Sequence, residues 1–275
     1  MQLAVTYCRP EDTLVLIGED QEPPLLPPGA VFGRSRVSGM LDIMVAMKAF
    51  AEERKDADAL LYAHGDGPFL DRELTERLLA LHRQYRAEYT YADGYPAGFS
   101  PEVLSTRILP NLVDLASRNQ VGADRDGLFS LIQKDINSYD IETELAPLDL
   151  RGYRLGALCD GKRGFLSAQG LWNVGVRSAQ DVVRVLPSHP ELLRTVPAFL
   201  WVQVAEACPQ SCSYCPYPQL AGDPRGKKGY MPLERFESVM EQAERLCDEL
   251  VVDLSLWGEP ALHPDFLGLA RSVLA

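Results

Sequence analysis

Three cysteines fall within one short stretch, EACPQSCSYCPYPQL, at Cys208, Cys212 and Cys215. The chain has six cysteines among 275 residues, too few and too unevenly placed for a disulfide scaffold. Reduced, clustered thiols point to a metal, because the thiolate is the ligand and the spacing C-x3-C-x2-C can wrap one centre. Three readings follow from the residues. The thiols could be buried structural groups, which three so close together argue against. They could hold zinc, with Cys247 or His263 as the fourth ligand that a closed tetrahedral site needs. Cys247 stands beside Leu246 in an expected helix interior and reads better as a packed thiol. They could hold an iron–sulfur cluster with one iron left open for a substrate or cofactor.

The elements around this loop must position it. The preceding stretch FLWVQVA is apolar and β-prone, giving a strand over 199–205, and PLERFESVMEQAERLCDE gives a helix near 232–248. LVVDLSL gives a second strand over 250–256, and HPDFLGLARSVLA opens another helix. Two strands joined by a helix predict a parallel βαβ unit, with the cysteine loop leaving the C-terminal end of its first strand.

Upstream, TLVLIG predicts a strand at 13–18, and a helix is expected over 38–54 with Ser38 as cap and Leu41, Met44, Val45 and Lys48 on one face. A strand at 57–66 and a helix at 71–87 follow, with Asp71 as N-cap and Leu74, Leu78, Leu81 and Tyr85 as its apolar stripe. EYTYADG reads as a strand, 101–117 and 124–136 as helices, and 139–144 and 153–159 as strands. Alternating strands and helices predict an α/β sandwich. The proline-punctuated stretch at 176–198 reads as a connector between domains spanning 1–175 and 199–275. Trp172 and Trp201 are expected to pack apolar surface, and His64 to sit in a solvated turn.

Composition sets the limits. The chain is 46% hydrophobic and carries a net charge of −12, which argues against a nucleic-acid surface. The one basic cluster, PRGKKG at 224–229, reads as a solvated loop. No apolar run is long enough to span a bilayer, so no membrane contact is expected. The opening MQLAVTYCRPEDT lacks the pattern of an export signal, and a cytoplasmic setting is expected.

The C-x3-C-x2-C loop, with Tyr214 just before its last cysteine, resembles the signature loop of the radical S-adenosylmethionine superfamily. The end of the next strand, SLWGEPALHPDF, resembles that family's Gly-Gly-Glu-Pro motif, with Trp257 in place of the first glycine and Gly258, Glu259 and Pro260 retained. The resemblance implies that Cys208, Cys212 and Cys215 hold a [4Fe-4S] cluster. It implies that Tyr214, Gly258, Glu259 and Pro260 surround S-adenosylmethionine, with Glu259 near its ammonium group. It further implies reductive cleavage of S-adenosylmethionine to a 5′-deoxyadenosyl radical, and an electron donor such as a flavodoxin or ferredoxin. ALHPDF is similar to members with a C-terminal SPASM-type domain, including a spirochaete family, and implies a peptide or protein substrate. A barrel of this family takes about six βα units against the two expected here, so the chain is expected to end inside the barrel.

The stretch from ADALLYAHGD to FSPEVLS resembles the middle of a sugar-nucleotide cytidylyltransferase: Asp66, then Pro68, Phe69 and Leu70, then Pro96 and Gly98. DIETELAPLDLRGYRLGALCD resembles a later segment of that family, ending at Asp160. This resemblance implies a nucleotidyltransferase-like domain, with Asp66 and Asp160 as acids for Mg2+. The family's Gly-rich phosphate loop has no counterpart in LAVTYCRPEDTLVLIGED, which favours a degenerate or recognition domain. A cytidylyltransferase-like enzyme with an accessory cysteine loop, and a zinc-stabilised interaction module, stand as alternatives to the radical enzyme.

Overall fold

A computed structural model describes residues 8–18, 28–34, 38–217, 229–247 and 249–274. Most of the basic cluster at 224–229, and the start of the stretch read for a phosphate loop, lie outside them. The chain is α/β and divides into two compact units, Met1–Asp160 with Gly164–Leu193, and Gly161–Arg163 with Arg194–Ala275.

In the first unit, strands β1 (Leu14–Ile17) and β2 (Val31–Arg34) form a parallel pair. A four-stranded sheet follows, built from β3 (Ala59–Tyr62), β4 (Tyr89–Asp93), β5 (Glu102–Ser105) and β6 (Ile141–Leu145) in the order β3-β5-β4-β6. β5 runs antiparallel to both neighbours, pairing Leu104 with Leu60 and with Tyr89. β4 and β6 are parallel, with Tyr91 opposite Thr143.

Neighbouring residues of a strand face opposite sides of a sheet. Val103 and Leu104, both fully buried, therefore feed two separate cores. Val103 packs with Phe69, Leu74, Leu78 and Phe99. Leu104 packs with Tyr89, Met40, Met44 and Leu112. The second core is covered by helices α1 (Met40–Glu52), α3 (Leu109–Arg118) and α4 (Gly127–Ile132). The first is covered by α2 (Arg72–Tyr85), α5 (Lys162–Asn173) and α6 (Ala179–Val185).

Several expectations change. Residues 102–105, read as the start of a helix, are the sheet's β5, because adjacent apolar residues there are buried on opposite faces. Residues 153–159 form no named strand; Gly156 makes an isolated bridge to Ala97. In α1 the buried face is Met40, Ile43, Met44, Met47 and Phe50, while Leu41 and Val45 are exposed. That helix is apolar nearly all round, so its periodicity does not select a face. Its N-cap is Gly39, and Ser38 donates its N–H and its hydroxyl to Asp42 at 2.8 Å each. In α2 His82 is buried where Tyr85 was expected.

The stretch 176–198 carries α6, and Val176, Ala179, Val182 and Leu186 belong to the first unit's core. Ser178 and Asp181 form a reciprocal capping box at the start of α6. The buried carboxylate of Asp71 serves two helices, accepting from Leu74 N–H at 3.1 Å in α2 and from Ala179 N–H at 2.8 Å in α6.

The second unit holds β7 (Phe199–Trp201) and β8 (Val251–Asp253), paired in parallel with Leu200 opposite Val252. Helix α7 (Leu233–Leu246) connects them, as the βαβ reading expects, and α8 (Phe266–Leu274) follows. Val202, Val204, Phe236 and Leu269 form the buried core. Phe199, Trp201 and Val251 are exposed, and Trp201 packs on Phe199 at 4.4 Å rather than in a core.

Candidate functional site

The cysteine loop leaves the β7 segment at Ala207. From 208 to 216 Cys208, Cys212 and Cys215 are half-buried, whereas Pro209, Gln210, Ser211, Ser213, Tyr214 and Pro216 are exposed. All three thiols are free. Cys215 N–H donates to Cys212 C=O at 3.2 Å, folding the C-x2-C part into a turn.

The Trp-Gly-Glu-Pro segment packs directly on the entry to this loop. A Cβ on Gly258 would sit 1.9 Å from the Ala205 carbonyl oxygen, so only glycine permits the approach. Glu259 N–H donates to Ala207 C=O at 2.8 Å. The Glu259 carboxylate accepts from Ala261 N–H at 3.1 Å and caps the short turn Pro260–Leu262. Tyr214 is 88% exposed and free to receive a ligand on its face.

The candidate fourth ligands are otherwise engaged. Cys247 is buried at the C-cap of α7, a packed thiol as expected, although past the helix interior. His263 Nε2 meets Met231 C=O at 2.8 Å, and its Nδ1 accepts from Asp265 N–H at 3.1 Å. Those partners assign a neutral imidazole with the proton on Nε2 and both nitrogens occupied.

The donor set suits an iron–sulfur cluster in kind: three free, half-buried thiols on one loop beside a glycine that keeps the backbone open. Among the described residues, no group of three or more His, Cys, Asp or Glu side chains is gathered so as to hold a single metal ion. Each thiolate of a cluster binds its own iron, so a cluster does not require that gathering.

The second set of sequence-singled residues lies in the first unit. Cys159 N–H donates to Asp66 C=O at 3.0 Å, which brings Asp160 beside Asp66. Gly98, at φ +96°, lets the Pro-x-Gly loop approach this segment, 3.1 Å from a Cβ position to Ala157 O. Between the two acids stands Arg125, which the sequence reading missed. Its guanidinium grips both oxygens of Asp66 in a fork and lies 3.3 Å from Asp160 through Nε. Arg125 holds the Asp66 carboxyl below its ordinary value, mainly through that hydrogen bond. A guanidinium therefore stands between these two carboxylates. His64 sits beside them with Nε2 buried and unpartnered; burial, then the charge of Arg125, pulls its imidazole below the ordinary value.

No family model matches the chain. Over 149 residues it is 29% identical to an uncharacterised protein of Treponema pallidum (strain Nichols), covering 54% of this chain and 40% of that protein. Over 70 residues it is 39% identical to the ribosomal protein uS12 methylthiotransferase RimO of Koribacter versatilis, covering 26% of this chain and 12% of that enzyme. Part of this chain is similar to radical S-adenosylmethionine enzymes. The chain spans well under half the length of these relatives. Among solved structures, a cytidylyltransferase from Leptospira borgpetersenii matches with a TM-score of 0.48 and 17% identity, over 61% of this chain and 71% of that one. No helix among the described residues is long and apolar enough to cross a membrane.

Proposed function

We propose that the second unit is part of a radical S-adenosylmethionine domain in which Cys208, Cys212 and Cys215 hold a [4Fe-4S] cluster. The observation that carries this reading is the burial pattern of the loop: its three cysteines are half-buried and the residues between them are exposed. The partial similarity to RimO supports the same reading. When bound, the cluster and S-adenosylmethionine supply one-electron cleavage of a sulfonium C–S bond, giving methionine and a 5′-deoxyadenosyl radical.

The chain's own residues would bind and orient. Cys208, Cys212 and Cys215 would supply three thiolates to the cluster, one fewer than a full set of four protein ligands. Gly258 clears the backbone beside the loop entry, Glu259 offers a carboxylate to an ammonium group, and exposed Tyr214 offers a ring face to a nucleoside. A protein substrate fits the RimO relatives, whose name specifies a ribosomal protein. Reduction by a flavodoxin or ferredoxin completes the proposal.

The first unit is proposed as a nucleotidyltransferase-like domain without metal-dependent transfer, because Arg125 already pairs with both Asp66 and Asp160 and stands between them.

Anaerobic reconstitution tests the reading. The protein is expected to take up about four irons and four sulfides and, once reduced, to form 5′-deoxyadenosine from S-adenosylmethionine. Changing Cys208, Cys212 or Cys215 singly to Ala is expected to abolish uptake, since an open-site cluster has no spare protein ligand, while Cys247→Ala leaves iron unchanged. Tight zinc with no iron would refute the proposal.

A further inference from the structure

We propose that Tyr217 is a positioning residue for the cysteine loop: its hydroxyl closes residues 206–217 into a ring that presets the three thiols. The proposal rests on the reading of that loop as a cluster site.

Tyr217 ends the exposed run and is itself 7% exposed. Its hydroxyl donates to the Glu206 carbonyl, eleven residues back at the other end of the loop. Its ring stacks on Trp257 at 6.2 Å with planes 26° apart. Trp257 is the residue that departs from the family's glycine, so the departure supplies the surface on which Tyr217 rests.

The anchor that Tyr217 reaches is hydrogen-bonded on both sides. Glu206 N–H donates to Gly229 C=O at 2.9 Å, and Met231 N–H donates to Val204 C=O at 3.0 Å. Glu259 N–H holds Ala207 C=O, and Gly258 abuts Ala205. Residues 204–207 are thus pinned from several sides, and the tyrosine ties the far end of the loop to them. All three cysteines lie between the two tied ends.

A loop closed only at one end would have to order itself each time it met iron. Closing both ends beforehand removes that entropy from the binding step. A phenylalanine would keep the ring stacking and leave the Glu206 carbonyl without this donor, so the hydroxyl is the separable part.

The test compares the parent protein with Tyr217→Phe, using Tyr230→Phe as a control in the same unit. The Tyr230 ring packs edge-on against His263, and its backbone bridge to Ala205 is untouched by a change to Phe. In metal-free protein, alkylation of Cys208, Cys212 and Cys215 by iodoacetamide is followed by mass spectrometry against buried Cys247. Tyr217→Phe is expected to speed alkylation of the three thiols about five-fold, the population change that losing one hydrogen bond produces. Tyr230→Phe is expected to change nothing. In reconstituted protein, Tyr217→Phe is expected to lose iron faster on dilution and to shift the cluster's midpoint potential. Parent-like alkylation in Tyr217→Phe would overturn the clasp whatever the iron content. Faster alkylation in a protein that takes up no iron or sulfide would overturn the cluster reading while leaving the loop closure in place.

Discussion

A guanidinium set between two carboxylates ties together residues far apart in the sequence. Asp66 and Asp160 stand 94 positions apart in the sequence, and the fold brings them to one guanidinium. Their identity as a pair was legible from the sequence as a resemblance. Arg125 was not, because its signal is a single arginine flanked by Asp124 and Asp126, which reads as an ordinary charged turn. The cysteines were legible for the opposite reason: three thiols in one loop have few bland explanations. Asp66→Asn is expected to cost about 1–2 kcal/mol by chemical denaturation, the range for a charge-assisted hydrogen bond at a partly exposed site. The Asp66 carboxyl is held below its ordinary value, so its contribution is present above the unfolded carboxylate range and fades as pH falls through the folded value. The difference between variant and parent should therefore shrink in acid. Added Mg2+ should leave the parent's Tm unmoved, and iron uptake in the second unit should be the same in both proteins. A Mg2+-dependent rise in the parent's Tm that the variant lacks would show that a cation displaces Arg125.

At the scale of elements, β5 separates what periodicity reveals from what it conceals. Glu102–Ser105 was read into a helix because it is short and joined to the true helix α3 by one 3-10 turn. Nothing local marks it as the strand that β3 and β4 both pair with; that is a property of its partners. Helix α2, by contrast, was legible because Asp71, Leu74 and Leu78 carry both its cap and its stripe. β5 also carries a buried acid. Glu102 faces Tyr89, whose hydroxyl donates to it, and burial pushes its carboxyl from 4.5 up to about 7 against the pull of that hydrogen bond. Burial raises the Tyr89 hydroxyl too, and moves that of Tyr62, the residue opposite Glu102 in register, up to about 12. Between 4.5 and about 7 the unfolded chain has released the Glu102 proton and the folded chain still holds it. Stability from this group is therefore present below that window and lost as pH rises through it. Glu102→Gln, neutral throughout, should gain on the parent by roughly 3 kcal/mol between about pH 4.5 and about pH 8. Urea unfolding across that range measures the difference, and a constant offset would show that Glu102 ionises normally.

At the scale of the whole molecule, the sequence placed a boundary where prolines concentrate, and the packing places it later. Pro187, Pro190 and Pro197 cluster in the stretch read as a connector. Proline marks where a helix must stop, and α6 ends before the first of these while still serving a core. It is only seven residues long, so its burial could not be read from its own periodicity. It follows from what α2 and α5 leave uncovered. Val176, Val182 and Leu186 are almost wholly buried, and Asp71 gives one carboxylate oxygen to the start of α6. A chain ending after Gly175 removes all three side chains and leaves that oxygen without its partner. Burying each such side chain is worth about 1.5–3 kcal/mol, and a domain's net stability is only about 5–15 kcal/mol. The shorter piece is therefore expected to lose a cooperative thermal transition, or to show one at least about 10 °C lower than the piece ending after Leu193. Limited proteolysis of the full chain should release an N-terminal fragment that retains α6, with cleavage after Leu193 or within the exposed cysteine loop. Equal melting of the two pieces, or a first cut between Gly175 and Leu186, would mean that α6 is dispensable to the first unit and that the proline-rich stretch is a connector throughout.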